Sequence, residues 1–300
     1  MSPETITCAA ALVTAAASAV GGWLARGTTA VPAAAWSVAA SLALAADAAG
    51  RVGGWVVDPA ARSASRLAVV ALAVCPAMSL LGAKRPQHGV WQLIVATLAF
   101  VLAMPAASAL LIRPGSLPDI HVLERFFLPA LVGVGWMNFI ATRRGLAASL
   151  VAAGQLGLIW PFLPGASPES PPTASVDAAC SWSIAVGALL AVAQSIRGSG
   201  RRGGDGLAAA IDPAFLAVRE TLGAAWALRI GERFNSLAGE RGWPCRLRFA
   251  GLEEDVRGAP WEQDAVRSFR SILRRFVSTD WIARHGGLGS RRSAWRSQGR

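Results

Sequence analysis

The stretch Ala178-Ala-Cys-Ser-Trp-Ser-Ile-Ala-Val-Gly-Ala-Leu-Leu-Ala-Val-Ala-Gln-Ser-Ile196 carries no charge and breaks abruptly into Arg197-Gly-Ser-Gly-Arg-Arg-Gly-Gly-Asp-Gly206. At about 1.5 Å per residue the first part is long enough to cross roughly 30 Å of hydrocarbon. The second part, rich in glycine and arginine, has the composition of a flexible basic linker. A membrane span therefore ends here and a polar segment begins. Charge divides at the same place. Of 29 Lys and Arg and 18 Asp and Glu, residues 1–196 hold 10 and 7, leaving 19 and 11 to residues 197–300, so +8 of the net +11 follows the junction.

Working back from the junction, similar apolar runs occur at Ile6–Ala25, Ala30–Ala49, Leu67–Ala83, Val90–Ile112, Phe126–Thr142 and Gly145–Leu163, which with Ala178–Ile196 predicts seven spans. Six is the alternative, because the second run contains Asp47 and the fifth is short. The first run is read as a span rather than a cleaved signal. Ala17-Ser-Ala19 resembles a cleavage site, but Glu4 and no Lys or Arg precede the run, whereas a signal needs a positive n-region. The expected fold is an all-α polytopic membrane protein of about seven transmembrane helices (1–196), a Gly/Arg linker (197–206), a small mostly α soluble domain with one short strand or hairpin (207–285), and a disordered basic tail (286–300).

The basic residues orient the chain. With the N-terminus outside, the cytosolic segments carry Arg26, Lys84, Arg85, Arg143, Arg144, Arg197, Arg201 and Arg202, against Arg51, Arg62, Arg66, Arg113 and Arg125 on the other face. The expectation is N-terminus out and C-terminus cytosolic. Lys84 is the sole lysine and Ala, Gly and Arg dominate, as in a GC-rich coding sequence, so a bacterial source and a bacterial inner membrane are expected.

Small residues at i, i+4 spacing, Ala35/Ala39/Ala43, Ser183/Gly187/Ala191 and Gly145/Ser149, predict close helix contacts. Pro76 and Pro105 fall inside spans and predict kinks or breaks. No internal repeat of the kind found in inverted-repeat transporters is visible. Ionisable residues within the runs are almost absent. Asp47 is matched by Arg51 one turn later, an i,i+4 pair at the membrane edge, and Asn138, Gln92 and Gln155 read as interhelical hydrogen-bonding groups.

The loop Arg113-Pro-Gly-Ser-Leu-Pro-Asp-Ile-His-Val-Leu-Glu-Arg125 is the candidate for chemistry, because Asp119, His121 and Glu124 are an acid/base or ligand set if they converge. A metal needs three or four ligands, and His121-x-x-Glu124 supplies two. Cys8, Cys75, Cys180 and Cys245 are isolated, so no disulfide framework or zinc site is expected, and no cofactor is implied. Hydrolase, zincin, P-loop and dinucleotide motifs are absent from the sequence.

In the tail, Asp212 as N-cap and Pro213 as first helical residue predict one helix reaching about Ala238, with an apolar stripe of Phe215, Val218, Leu222, Trp226 and Ile230. Arg219, Arg229 and Arg233 beside that stripe are expected to pair with Glu253-Glu254-Asp255 or to lie at a lipid surface. Cys245–Phe249 reads as a strand, and Val266, Phe269, Leu273 and Phe276 mark an amphipathic helix after Pro260. Its arginine face, Arg267, Arg270 and Arg274, is a candidate surface for anionic lipid headgroups or an acidic protein partner. The bilayer is the first partner, and nucleic acid is not expected, since no recognition-module spacing is present. The leading functional expectation is a non-enzymatic membrane anchor for a basic cytosolic interaction domain. The alternative is a small-solute transporter or channel, and the third is a membrane enzyme using the 113–125 loop.

Overall fold

A computed structural model describes residues 1–82, 88–166, 173–197, 206–254 and 260–286. Seven helical stretches among them are long and apolar enough to cross a membrane, at Pro3–Leu24, Val31–Val52, Pro59–Leu81, Gly89–Ile112, Val122–Ile140, Gly145–Phe162 and Ala174–Arg197. The chain is a multi-pass membrane protein, and each expected run falls on one of these helices.

Caps explain where the boundaries differ. The third span starts at Pro59 because the Asp58 carboxylate accepts from the backbone N–H groups of Ala60 and Ala61 and Pro59 occupies the first helical position. Arg62 and Arg66, read from the sequence as part of a loop, therefore stand on a helix. That span is broken into α3 (Pro59–Ala73) and α4 (Cys75–Leu81), with Pro76 in the first turn of α4. At the break the Ala73 carbonyl accepts from Gln155 Nε2 at 2.8 Å. Pro105 sits inside α5 (His88–Ala107), which ends in a π-helical turn at Ser108–Ile112. Both expected proline irregularities are present.

The remaining spans are α1 (Pro3–Leu24), α2 (Val31–Val52), α6 (Val122–Ile140), α7 (Gly145–Ile159) and α8 (Ala174–Arg197). They form a closed ring with the broken span. α1 packs on α2 and α8, α8 on α7, α7 on α6, α6 on α4, and α4 on α2, while α5 lies outside against α3 and α4. Small residues make the seams. A Cβ on Gly22 would stand 3.0 Å from Ala34 Cβ, one on Gly135 3.0 Å from Ala77 Cβ, and one on Gly187 2.8 Å from the Ala147 carbonyl oxygen. Ser183 Oγ donates to the Leu150 carbonyl at 2.7 Å. The expected Ala35/Ala39/Ala43 stripe is corrected, because Ala35 and Ala39 are exposed and α2 turns Ala33, Ala40, Ser41, Leu44 and Ala45 inward.

After the junction, the single helix expected from Asp212 is two. α9 (Leu207–Leu222) begins before Asp212 and carries Pro213 in its second turn, and Gly223, at φ +88°, turns the chain into α10 (Ala224–Arg241). Asp212 is not a cap; its Oδ1 accepts from Leu252 N–H at 2.7 Å. β1 (Cys245–Arg248) and β2 (Gly251–Glu254) form an antiparallel hairpin with Leu247 opposite Leu252, the pairing that the expected lone strand required. α11 (Glu262–Leu273) and a short α12 (Thr279–His285) complete the C-terminal unit. Phe215, Leu222, Trp226, Phe269, Leu273 and Phe276 are buried as expected, joined by Ile211, Phe234 and Trp281, which the sequence reading passed over. The linker 197–206 and tail 286–300, apart from Arg197, Gly206 and Gly286, lie outside the described residues.

This unit is docked on one end of the ring. Asn138, buried on α6, donates from Nδ2 to the Leu222 carbonyl and accepts at Oδ1 from Ala225 N–H, each at 3.0 Å, so one side chain clamps the α9–α10 turn. Trp226 Nε1 donates to the Leu80 carbonyl at 2.7 Å. The α1–α2 turn pairs with the segment before α12, through Thr29 N–H to the Phe276 carbonyl at 2.9 Å and Ser278 N–H to the Gly27 carbonyl at 2.6 Å. Ala30 belongs to the unit's core.

Asn138→Ala would strip the Leu222 carbonyl and Ala225 N–H of a partner, at about 1–3 kcal/mol for each buried group. Proteolysis and hydrogen exchange of the purified full chain are expected to quicken at residues 220–226 in this variant, while Asn235→Ala, which loosens the hairpin instead, leaves that turn protected. Protection unchanged in Asn138→Ala would refute the clamp.

Candidate functional site

The ring surrounds a partly open cavity of about 1550 Å3. Its wall is built mainly of short side chains, among them Thr14, Ala17 and Ser18 of α1, Ser37, Ala40 and Ser41 of α2, Ala147, Ala148 and Val151 of α7, and Ser181, Gly187 and Ala188 of α8. Residues that pack closely at the seams are too short to meet across the axis, so the same composition that joins the ring leaves it hollow. From Ser181 to Ser195 along α8 the lining covers on the order of 20 Å. The α3–α4 break is the helix irregularity on its wall. Pro76 and Gln155 line it, and Gln194 Oε1 is buried without a hydrogen-bond partner.

One end of the chamber is closed by charge. Arg66 Nη1 meets Asp177 Oδ2 at 2.6 Å, Arg51 Nη1 lies 3.5 Å from the same oxygen, and Arg51 Nη2 pairs with Asp47 Oδ2. Ser65 Oγ donates to Asp47 Oδ1 at 2.5 Å, and Arg66 Nε donates to the Leu158 carbonyl at 3.0 Å. Asp47 and Asp177 are buried, with side chains 4% and 6% exposed. The cavity-lining Leu44, Val69, Leu158 and Ser181 lie within about one turn of Asp47, Arg66 or Asp177 or carry the carbonyl that Arg66 holds, so this cluster stands at the chamber's end. It joins α2, α3 and α8 directly and α7 through Leu158. Arg51 Nε, Arg66 Nη2 and Asp177 Oδ1 are buried with no hydrogen-bond partner among the described residues. The expected Asp47–Arg51 pair is thus present as one edge of a four-charge network. Ionisable groups at membrane depth are functional candidates by default.

The C-terminal unit lies at the opposite end, where α9 contributes Asp212, Pro213, Leu216, Arg219 and Glu220 to the lining and α12 contributes Trp281, Arg284 and His285. Arg219 donates from Nε and Nη2 to Glu220 Oε1 at 3.0 and 2.7 Å, and Arg143 N–H donates to Glu220 Oε2 at 3.0 Å. Arg144 reaches in from the turn before α7, and its Nη2 donates to Ser195 Oγ at 2.7 Å. Burial pushes the Arg144 pKa down and Glu220 pulls it back, but a guanidinium remains charged at any working pH. His285 stacks on Trp281 with ring centroids 4.0 Å apart. Burial pushes its pKa below the ordinary value, the Trp281 carbonyl opposes that, and Arg284 reinforces it.

In the loop expected to carry chemistry, Asp119 and His121 stand within electrostatic reach of Glu124. Asp119 and His121 are exposed, and His121 Nδ1 caps α6 by accepting from Leu123 N–H at 3.3 Å. Glu124 stands in the first turn of α6. No group of three or more metal-ligating side chains occurs among the described residues. On α11, Arg267 and Arg274 are exposed and Arg270 is half-buried, while Arg267 Nη2 pairs with Asp264 at 2.7 Å. Arg219 binds Glu220 and the Phe249 carbonyl, Glu253 pairs with Arg248, and the Glu254 side chain and Asp255 lie outside the described residues. Arg66, Asp177 and Arg144 escaped sequence reading. The Asp58-Pro59 cap, which carries Arg66 onto a helix, was the available signal. No family model, curated protein or solved structure matches the chain.

Removing Asp177 leaves two buried guanidiniums under-paired, at about 3–5 kcal/mol for a broken buried pair. Asp177→Ala is expected to lower thermal stability in detergent sharply, whereas Asp119→Ala and His121→Ala shift it little, with His121→Ala limited to about 1 kcal/mol for a lost cap. Equal losses at Asp177 and Asp119 would count against the network.

His285 has a depressed pKa in the fold, so the folded state binds fewer protons than the unfolded one near the ordinary histidine value of 6.5. Its contribution to α12 docking is present above that value and is lost as pH falls through the lower folded value. Proteolysis after α11 is expected to rise on acidification and to become flatter with pH in His285→Gln; an identical pH profile in the two proteins would contradict this.

Proposed function

We propose that the protein is a small-solute transporter or channel whose chamber lies inside the ring of spans. The reading takes the anionic and cationic side chains at one end as a closed barrier and the C-terminal unit as a floor at the other. A single observation carries it, namely that six helical elements encircle an unfilled volume of about 1550 Å3 in a protein otherwise packed through alanine and glycine. Sites of this kind are commonly formed at discontinuous membrane helices, and the α3–α4 break, with its carbonyl held by Gln155, provides one here. The reading places the protein in a bacterial inner membrane with the N-terminus outside and the C-terminal unit cytosolic. It places solute translocation ahead of the anchor expectation because an anchor has no use for a hollow core.

The anchor reading keeps one observation of its own. The exposed Arg267 and Arg274 on α11 leave the basic C-terminal unit a face for anionic headgroups or an acidic protein. The two readings separate experimentally.

Single cysteines at Ser41, Ala148 and Ser181, in a chain whose four native cysteines are replaced, are expected to react with a membrane-impermeant thiol reagent added from the C-terminal side of oriented vesicles. A cysteine at Ala35, on the lipid-facing side of α2, is expected to resist. Labelling at none of the three chamber positions from either side would remove the translocation reading and leave the anchor. Labelling of a residue-197 cysteine only from the outside would reverse the orientation.

A further inference from the structure

The charges on the chamber wall are not evenly placed. Among the described residues, the ionisable lining groups are confined to the end that the C-terminal unit covers, where Arg143, Arg144, Arg219, Arg284 and the weakly basic His285 stand with Asp212 and Glu220. The acids are already committed: Glu220 to Arg219 and to Arg143 N–H, and Asp212 to Leu252 N–H. Arg144, by contrast, is held by one neutral hydroxyl, Ser195 Oγ, at 2.7 Å among the hydrogen bonds it makes. Four cations against two bound anions leave this end positive, and low-dielectric walls strengthen that field. Beyond it, from Ala148 and Ala188 toward Ser41 and Ser181, the wall is uncharged and largely apolar over about 10 Å along α8, roughly one-third of a membrane's depth. The volume of about 1550 Å3 exceeds the roughly 300–1,000 Å3 typical of compact small-molecule pockets, in the direction of an elongated occupant.

Resting on the chamber reading, we infer that its occupant is a single-chain anionic amphiphile, with a phosphate or carboxylate head at Arg144 and Ser195 and an alkyl chain along the small-residue wall. A planar guanidinium offers paired donors to either head group. Serine and threonine at intervals along the wall bond back to their own helices, as Thr14 Oγ1 does to the Ala10 carbonyl and Ser181 Oγ to the Asp177 carbonyl, and so present methylene and methyl surface to a chain. The tail then replaces empty volume with contact, and the head brings to Arg144 the counter-charge that Glu220, engaged elsewhere, does not fully supply.

The test uses the full chain in phosphatidylcholine nanodiscs, with thermal stability as the readout, since a ligand that binds the folded state raises it by mass action. Dodecyl phosphate is expected to stabilise the protein saturably, with dodecanol and inorganic phosphate at the same concentrations giving at least tenfold weaker effects. Arg144→Gln is expected to weaken the dodecyl phosphate response about tenfold or more, Ala148→Phe to obstruct it, and Arg246→Gln, exposed on β1, to leave it unchanged. Ser195→Ala serves as the milder head-group variant if Arg144→Gln fails to fold. Equal responses to dodecyl phosphate and dodecanol would remove the head-group site, and a response to inorganic phosphate alone would leave an anion site without a chain. A dodecyl phosphate response insensitive to both Arg144→Gln and Ala148→Phe would assign binding to the lipid-facing surface. Chamber cysteines that label while dodecyl phosphate fails overturn this inference alone, whereas failure of the labelling overturns the chamber itself.

Discussion

Two largely buried arginines and two buried aspartates at one end of the ring are the constraint on which the architecture depends. Each such group costs about 2.5–3.5 kcal/mol to place at mid-membrane on the insertion scale, and less toward the interface, so none is tolerable there alone. Pairing obliges α2, α3 and α8 to meet, and the Arg66 contact with the Leu158 carbonyl adds α7. Well-packed apolar residues of similar volume would hold the helices at least as firmly. What charge adds is selectivity, because an Arg on α3 accepts few substitutes for an Asp on α8, whereas one apolar face packs on almost any other.

The middle of the ring follows a different rule. Lipid tails are as apolar as the helices, so burial gives the spans no reason to associate, and contact must come from close backbone approach. Gly22, Gly135 and Gly187 provide that approach at three seams. A helix that is small on the side facing its neighbours and small on the side facing the axis cannot also fill the axis. The hollow is a consequence of ring closure by alanine, serine and glycine, and larger residues such as Leu93, Phe100 and Met137 are turned outward.

Much of this was legible in the sequence and some was not, for physical reasons. Length and hydropathy mark each span because the bilayer fixes how long an apolar run must be. The strand and the α11 stripe were legible because period-two and helical alternation are local. The α9–α10 turn was missed because Asp212-Pro213 imitates a helix start, while Gly223, which has the required positive φ, sits in a run of helix formers. Arg66 and Asp177 stand 111 residues apart, and nothing local to either names the other. Asn138 was read as an interhelical group. It is interhelical, but its partners are the backbone of α9 and α10 beyond the last span. The chamber is a property of ring closure and has no signature in any one segment.

The C-terminal unit and the chamber are mechanically one object at α9. This helix presents Asp212, Leu216, Arg219 and Glu220 to the cavity, and two of them also hold the hairpin, Asp212 through Leu252 N–H and Arg219 through the Phe249 carbonyl. Its C-terminal end is fixed by Asn138, and a side chain at Gly223 would overlap the Asn138 amide as well as strain the turn. Opening the chamber toward the C-terminal side by moving α9 alone would break the Leu222 bond while α10, held by Ala225 and Trp226, stayed in place. Opening by moving the whole unit would spend the Asn138 and Trp226 bonds together with the Thr29 and Ser278 backbone bonds. A ligand shifts such an equilibrium only by its difference in affinity between the two arrangements. Glu220, bonded to Arg143 N–H of the ring and to Arg219 of the unit, travels with Arg219 and parts from Arg143 in either motion. It is therefore the residue through which an occupant's charge would be felt by the unit, and through which a partner on the unit would be felt in the chamber.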